Sequence, residues 1–304
     1  MRWLVTGAGG MLGQDLCAVL AEAGEAGVVP ATRAVLDIAD AAAVREAVAG
    51  VDVVLNAAGW TDVDGAEAAE EAATAVNGHA VRILAEAAGA RLFHVSTDYI
   101  FDGAATVPYA ENAEPAPINA YGRGKLMGER AVLAAGGYVV RTAWLYGAHG
   151  RNFVRTMLRL AGERETVDVV ADQEGPPTWS QALAAQVVAL AGAAAAGRAA
   201  PGVYHGTAGG QTSWYGLARA VFAEAGLDPG RVRPTTSDRF PRPARRPTYS
   251  VLGHERWAGT GVPPLPHWRA MLTTAMPLLG PHDGLRAVGD LQLGDLVVGP
   301  AGGD

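Results

Sequence analysis

The chain opens on a continuous apolar run, Trp3-Leu4-Val5, followed by a cluster of glycines and then an apolar-periodic stretch to about residue 23. An unbroken apolar run bounded by turn residues predicts a buried strand, whereas spacings of three and four predict a helix. Further short apolar runs at 28–31, 51–56, 91–96 and 138–141 predict four more strands. Helical patterns lie between them, including one continuous helix over 67–89 and another that follows the loop Glu114-Pro-Ala-Pro117. Such regular alternation predicts an α/β fold, a doubly wound parallel sheet with helices on both faces. After Trp144 the rhythm loosens, with helices expected at 152–162, 179–197 and 213–226 and strands at 166–171 and 203–205. Residues 231–247 are too rich in proline to sustain a helix. The expected division is a nucleotide-binding domain over 1–146 and a smaller, partly interleaved one over 147–276, with segments returning to the first. A weakly ordered tail is expected over 277–304.

The first turn carries Gly7-Ala-Gly9-Gly10-Met11-Leu12-Gly13 between a strand and a helix. The spacing is GxxGxxG, and the strand–turn–helix context makes it a dinucleotide fingerprint of the Rossmann type. Glycine lets the backbone turn tightly and approach a pyrophosphate, whose charge then rests on the helix N-terminus. At the end of the second strand stands Arg33, with no acid before Asp37. An arginine there suits a 2′-phosphate, so NADP(H) is preferred and NAD(H) remains possible. Ala57, Ala58 and Gly59 at the end of the third strand are small enough for close cofactor approach, although they suit any tight turn. Ser96 and Thr97 end the fourth strand, where sheets of this kind place their chemistry. Asn77 and His79 read as satisfied polar groups of their helix.

Lys125 is the only lysine of the chain. It follows Tyr121 by four residues, a spacing that puts both side chains on one face of a helix. A lysine cation there is expected to lower the tyrosine pKa and make the phenol a proton donor near neutrality. Arginine, with its rigid planar fork, is no substitute for a compact ammonium.

Composition narrows the class. A net charge of -7 over 304 residues argues against a nucleic-acid or membrane-surface binder. Cys17 is the sole cysteine, which removes internal disulfides and cysteine zinc sites and fits a reducing cytoplasm. The N-terminus opens as a strand without the pattern of a signal peptide. The alanine-rich stretch at 186–200 is too short and too interrupted to span a membrane.

Together these segments resemble the extended short-chain dehydrogenase/reductases and, more narrowly, the dTDP-4-dehydrorhamnose reductase family. The likeness rests on Val5-Thr-Gly-Ala-Gly-Gly-Met-Leu-Gly13, Asn56-Ala-Ala-Gly-Trp-Thr-Asp-Val-Asp64 and Ser96-Thr-Asp-Tyr-Ile-Phe101. It continues in Tyr121-Gly-Arg-Gly-Lys125, Arg141-Thr-Ala-Trp-Leu-Tyr146, Asp172-Gln-Glu-Gly-Pro-Pro-Thr178 and Arg246-Pro-Thr-Tyr-Ser-Val-Leu252. The resemblance implies reduction by NADPH of the C4 ketone of dTDP-4-dehydro-L-rhamnose. In it Tyr121 is the general acid, Lys125 lowers its pKa and holds the nicotinamide ribose, and Thr97 hydrogen-bonds the reacting oxygen. Met11, Leu12, Ile38, Thr61 and Ser96 join the cofactor site. Thr61, Val63, Asp98, Tyr99 and Trp144 line the sugar pocket, with Asn152, Phe153 and the arginines of 242–246 on the nucleotide side. Some members bind magnesium between subunits; Asp15 matches one such ligand, but the sequence does not place the others, so no metal is expected. Trp60 departs from the family pattern and leaves the sugar open. A dTDP-dihydrostreptose synthase, a non-catalytic cofactor-binding subunit and an epimerase or dehydratase are the alternatives. The expected partner is a dTDP-sugar, with the chain a monomer or homodimer.

Overall fold

A computed structural model describes residues 1–279 and the two-residue strand Val297–Val298. The first half alternates as β1 (Arg2–Thr6), α1 (Met11–Glu22), β2 (Gly27–Ala31), α2 (Ala41–Ala47), β3 (Val53–Asn56), α3 (Val63–Ala68), α4 (Glu70–Thr74), α5 (Val81–Ala88), β4 (Leu92–Thr97), α6 (Ala120–Ala134) and β5 (Tyr138–Thr142). Then come β6 (Leu145–Tyr146), α7 (Phe153–Glu163), β7 (Val167–Val170), β8 (Glu174–Gly175), β9 (Thr178–Trp179), α8 (Ser180–Ala195), β10 (Gly202–His205), β11 (Thr212–Ser213), α9 (Trp214–Glu224), β12 (Val232–Thr235), α10 (Trp268–Ala275) and β13 (Val297–Val298).

Side chains alternate across a strand, and the apolar runs therefore feed two layers. Trp3 and Val5 pack with Leu16 and Leu20 of α1 and with Leu183 and Val187 of α8. Leu4, between them, faces Val44 of α2 and Val81 and Leu84 of α5. The outcome is a six-stranded parallel sheet in the order β10-β5-β4-β3-β1-β2, covered on both faces as the alternation predicted. The order reverses between β1 and β3, and at such a switch point the carboxyl strand ends open a crevice. A separate cluster gathers Val154 and Met157 of α7, Leu217 and Val221 of α9 and Leu272 of α10 around β7.

One expectation needs correction. The helix predicted as continuous over 67–89 is broken at Ala69, whose φ of -141° and ψ of 49° are not helical. It then widens into a π-turn over Ala75–Ala80. There Asn77 leaves the helix surface to bind a loop: its Oδ1 accepts from Trp60 N at 2.8 Å and its Nδ2 donates to Trp60 O at 3.0 Å. Alanine-rich periodicity runs through both interruptions, so nothing local marks them. The arginine- and proline-rich segment sustains no α-helix, as expected, and adds the strand β12, paired with β7. Pro234 is tolerated because β12 is an edge strand. Of the tail expected to be weakly ordered, 280–296 and 299–304 lie outside the described residues.

Candidate active site

The glycine loop ends on Gly10, which caps α1 without a side chain, so the first amides of the helix remain open for an anion. Gly7 takes φ 70°, and a Cβ on Gly13 would fall 2.1 Å from Gly7 O. Only glycine permits this turn and this approach. The loop floors a cleft of about 1230 Å³. Gly7, Gly10, Met11, Leu12, Gly13, Arg33, Asp37, Ile38, Ala57, Ala58, Gly59, Thr61, Ser96 and Lys125, all expected at the cofactor, line that cleft. Arg33 is exposed at its edge, while Asp37 turns its carboxylate to Ala39 N at 3.0 Å. Ser96 Oγ and Thr142 Oγ1 are buried in the cleft wall without a partner, which marks them as donors or acceptors for a polar ligand. Bare helix amides, an exposed arginine and orphaned hydroxyls along one elongated cleft fit a phosphorylated dinucleotide.

Helix α6 is fixed before its chemistry is considered. Asn119 caps it by accepting from Gly122 N at 2.8 Å, and its Nδ2 reaches Arg245 O at 2.9 Å. Farther along, Glu129 pairs with Arg141 of β5 at 2.8 Å, both almost fully buried. Lys125 is 5% exposed, and its Nζ donates to Val95 O at 2.7 Å. Burial lowers its pKa to about 8, against the charge of Glu129. The Tyr121 ring meets Tyr99 edge-on, centroids 6.1 Å apart, and packs with Trp60 over Ala66, Ala73 and Ala120. Thr97 is the one neighbour that favours ionisation of the Tyr121 phenol.

The phenol pKa is shifted opposite to the expected depression. Burial pushes Tyr121 up, with Asp98 and Tyr99 adding to the rise and only Thr97 opposing it. Spacing put tyrosine and lysine on one helix face, but it carried no information about how dry that face is. Lys125 instead spends its shortest contact on a carbonyl of β4.

The other end of the cleft is aromatic. Trp144 adopts φ 48°, a left-handed conformation unusual for a bulky side chain, and stacks on Trp214 with centroids 3.5 Å apart. Thr61, Val63, Asp98, Tyr99 and Phe153 line the same cleft. Thr97 adjoins it, accepting from Tyr99 N at 3.1 Å and donating to Asp98 Oδ1 at 3.0 Å. Burial raises the Asp98 carboxyl to about 6, against hydrogen bonds from Ser250 and Thr97. Asn152 is a correction: its Oδ1 caps α7 at Arg155 N, its Nδ2 binds Gly147 O, and it is 2% exposed. A polar residue just before an apolar helix is first of all a cap.

Sequence reading passed over three groups. Asp64 binds Arg242 and Arg246 across the cleft. Gln173 lines the cleft and its Oε1 accepts from Trp214 Nε1 at 3.2 Å. His94, wholly buried, lies 3.4 Å from Lys125 Nζ. Strand parity could have found it, since His94 shares a face with Ser96 two residues on. Asp15 accepts from Ser180 Oγ at 2.5 Å, and no group of three potential metal ligands occurs among the described residues. No helix among them is long and apolar enough to cross a membrane.

Known proteins share this arrangement. The profile of the RmlD substrate binding domain matches residues 1–279. A dTDP-4-keto-6-deoxy-D-glucose reductase of Streptomyces niveus is 52% identical over 289 residues, covering 91% of this chain and 97% of the relative. A dTDP-4-dehydrorhamnose reductase of Streptomyces griseus is 52% identical over 286 residues, covering 91% and 94%. The crystal structure of dTDP-4-dehydrorhamnose reductase from Bacillus anthracis in complex with NADP superposes with a TM-score of 0.85 at 35% identity, covering 91% of this chain and 98% of that one. With its glycine loop, its Tyr121 and Lys125 helix and this likeness along almost its whole described length, the chain belongs to the RmlD substrate binding domain family.

Proposed function

We propose that the chain reduces the C4 ketone of dTDP-4-dehydro-L-rhamnose to dTDP-L-rhamnose with NADPH. The observation that carries this reading is that the helix bearing Tyr121 also carries the only lysine, Lys125, into a cleft that fits a phosphorylated dinucleotide. The glycine loop and the N-terminus of α1 hold the pyrophosphate, and Arg33 takes the 2′-phosphate. Lys125 and Ser96 serve the nicotinamide end. A reduced nicotinamide bound there supplies the hydride that forms the new C4–H bond. Tyr121 gives its phenolic proton to the C4 oxygen, and Thr97 stabilises the charge that develops on that oxygen. The raised pKa keeps Tyr121 protonated until the sugar arrives. The Lys125 ammonium then offsets the phenolate left behind. Trp144, Tyr99 and Val63 enclose the sugar, and Arg242 and Arg246 face its nucleotide. Residues 1–146 form the cofactor domain, which also lends Val63, Tyr99 and Trp144 to the sugar, and 147–276 serve mainly the sugar nucleotide. We place the reaction in the cytoplasm and without nucleic acid, the enzyme being a monomer or homodimer.

The second reading is reduction of dTDP-4-keto-6-deoxy-D-glucose, favoured by the equally similar relative named for it. NMR analysis of the product separates the two. The chain is incubated with NADPH and each 4-keto sugar in turn. Reduction of the rhamnose-type substrate to a 4-hydroxy 6-deoxyhexose is the expected result. Faster turnover of the gluco isomer supports the second reading, and a branched pentose marks a dihydrostreptose synthase. Failure to oxidise NADPH with any of them overturns the enzymatic assignment.

A further inference from the structure

Three buried polar side chains form a row at one level of the sheet, on adjacent strands. Thr6 of β1 is in register with Asn56 of β3, and Asn56 with His94 of β4. All three are at most 1% exposed. Thr6 Oγ1 donates to Asn56 Oδ1 at 2.7 Å, and Ala58 N donates to the same oxygen at 3.0 Å. A backbone N–H can only donate, so the Asn56 oxygen must face it and the amide cannot be reversed. The other end of the amide, Nδ2, then faces His94 Nδ1 at 2.9 Å. Since Nδ2 can only donate, His94 Nδ1 must accept. Burial and the Lys125 charge keep the imidazole neutral, so its single proton sits on Nε2, the atom 3.4 Å from Lys125 Nζ.

We propose that His94 is a positioning residue for Lys125, locked by Thr6 and Asn56 as the Nε2–H tautomer so that it cannot accept a hydrogen bond from the lysine ammonium. The inference rests on the reading of Lys125 as the site lysine. The two N–H groups that meet are both donors, which accounts for a separation longer than the 2.7 Å from Nζ to Val95 O. Lys125 is thereby anchored by one carbonyl, and its other N–H bonds stay available for ligand and phenol. The opposite tautomer would accept from Nζ and hold the ammonium against β4. The locked N–H also turns the positive end of a dipole toward Nζ and favours the neutral amine. Glu129, on the same helix and itself paired with Arg141, is the other ionisable group that acts on Nζ.

The chain has one lysine, so lysine labelled with ¹⁵N at Nζ gives a single side-chain resonance to titrate in the intact, ligand-free protein. His94 is one of 7 histidines, and its ring nitrogens are assigned by their absence in His94→Leu. The expected spectrum shows protonated Nε2 and bare Nδ1 from pH 6 to 9. His94→Leu removes the facing N–H, and the Lys125 titration moves upward. Asn56→Asp turns the donor to Nδ1 into an acceptor, shifts the proton to Nδ1 and raises the Lys125 titration further. A proton on Nδ1 in the unmodified chain overturns the proposal, whether or not either variant folds. An unmoved or lowered lysine titration in a folded His94→Leu does so as well. None of these readouts depends on turnover, so they remain decisive if the substrate assignment fails.

Discussion

Asp64 Oδ1 accepts a hydrogen bond from Arg246 Nη1 at 2.5 Å, between residues 182 positions apart in the chain. The contact ties the first turn of α3 to the arginine- and proline-rich segment, and Arg242 and Ala244 N join it on the same carboxylate. Burial alone would raise the Asp64 pKa; hydrogen bonds from Arg246 and Arg242 reverse that and bring it down from 3.8 to about 2. A folded pKa below the unfolded one stabilises the fold above about pH 4, and that contribution is lost as pH falls toward about 2. Asp64→Asn is expected to cost on the order of 2 kcal/mol at pH 7. Denaturant melts of the two proteins should converge near pH 2; a constant gap across that window counts against the linkage.

Replacing the proposed acid leaves the cleft intact but removes the proton. Tyr121→Phe should lower kcat by roughly 10²–10⁴-fold while NADPH binding, followed by fluorescence, changes little. Turnover near that of the unmodified enzyme would falsify the assignment.

Lys125→Arg keeps the charge and loses the geometry. Lys125 is almost fully buried, and a Cβ on Gly59 would lie 3.9 Å from its Nζ, which leaves little room for a planar guanidinium. The expected loss in kcat is at least about tenfold, the effect of roughly 1.4 kcal/mol of transition-state stabilisation. Steady-state rates equal to those of the parent refute a specific need for lysine.

Arg33 lines the cleft from an exposed position and appears in no salt bridge among the described residues. Arg33→Ala should raise KM for NADPH by roughly tenfold or more, the effect of losing one charge-assisted hydrogen bond, and leave NADH nearly unchanged. Equal losses for the two cofactors remove the 2′-phosphate role.

Gly13→Ala adds a methyl group 2.1 Å from Gly7 O, so the loop must move. NADPH affinity, read by titration, should fall by about tenfold or more. Unchanged affinity means that the loop is not the pyrophosphate cradle.

Much of this was legible along the chain. Strand parity at Trp3, Leu4 and Val5 sends side chains to two layers, and the structure places them there. The glycine spacing after β1 and the four-residue step from Tyr121 to Lys125 are local signals whose geometry is nearly independent of the rest of the fold. The breaks at Ala69 and across Ala75–Ala80 were not legible, because Asn77 serves Trp60, 17 residues away. Asn152 was misread for a related reason: one side chain can cap a helix or face a ligand, and only its surroundings decide which.

The sequence by itself determined the doubly wound sheet, the dinucleotide loop and the helix bearing Tyr121 and Lys125, because periodicity and turn chemistry act over a few residues. Only the tertiary structure decided how those groups behave. The raised pKa of the phenol comes from burial. Asp64 meets its arginines only after the chain has crossed the cleft. The proton on His94 is assigned by a row spanning three strands, and that row exists only once β1, β3 and β4 lie side by side in register.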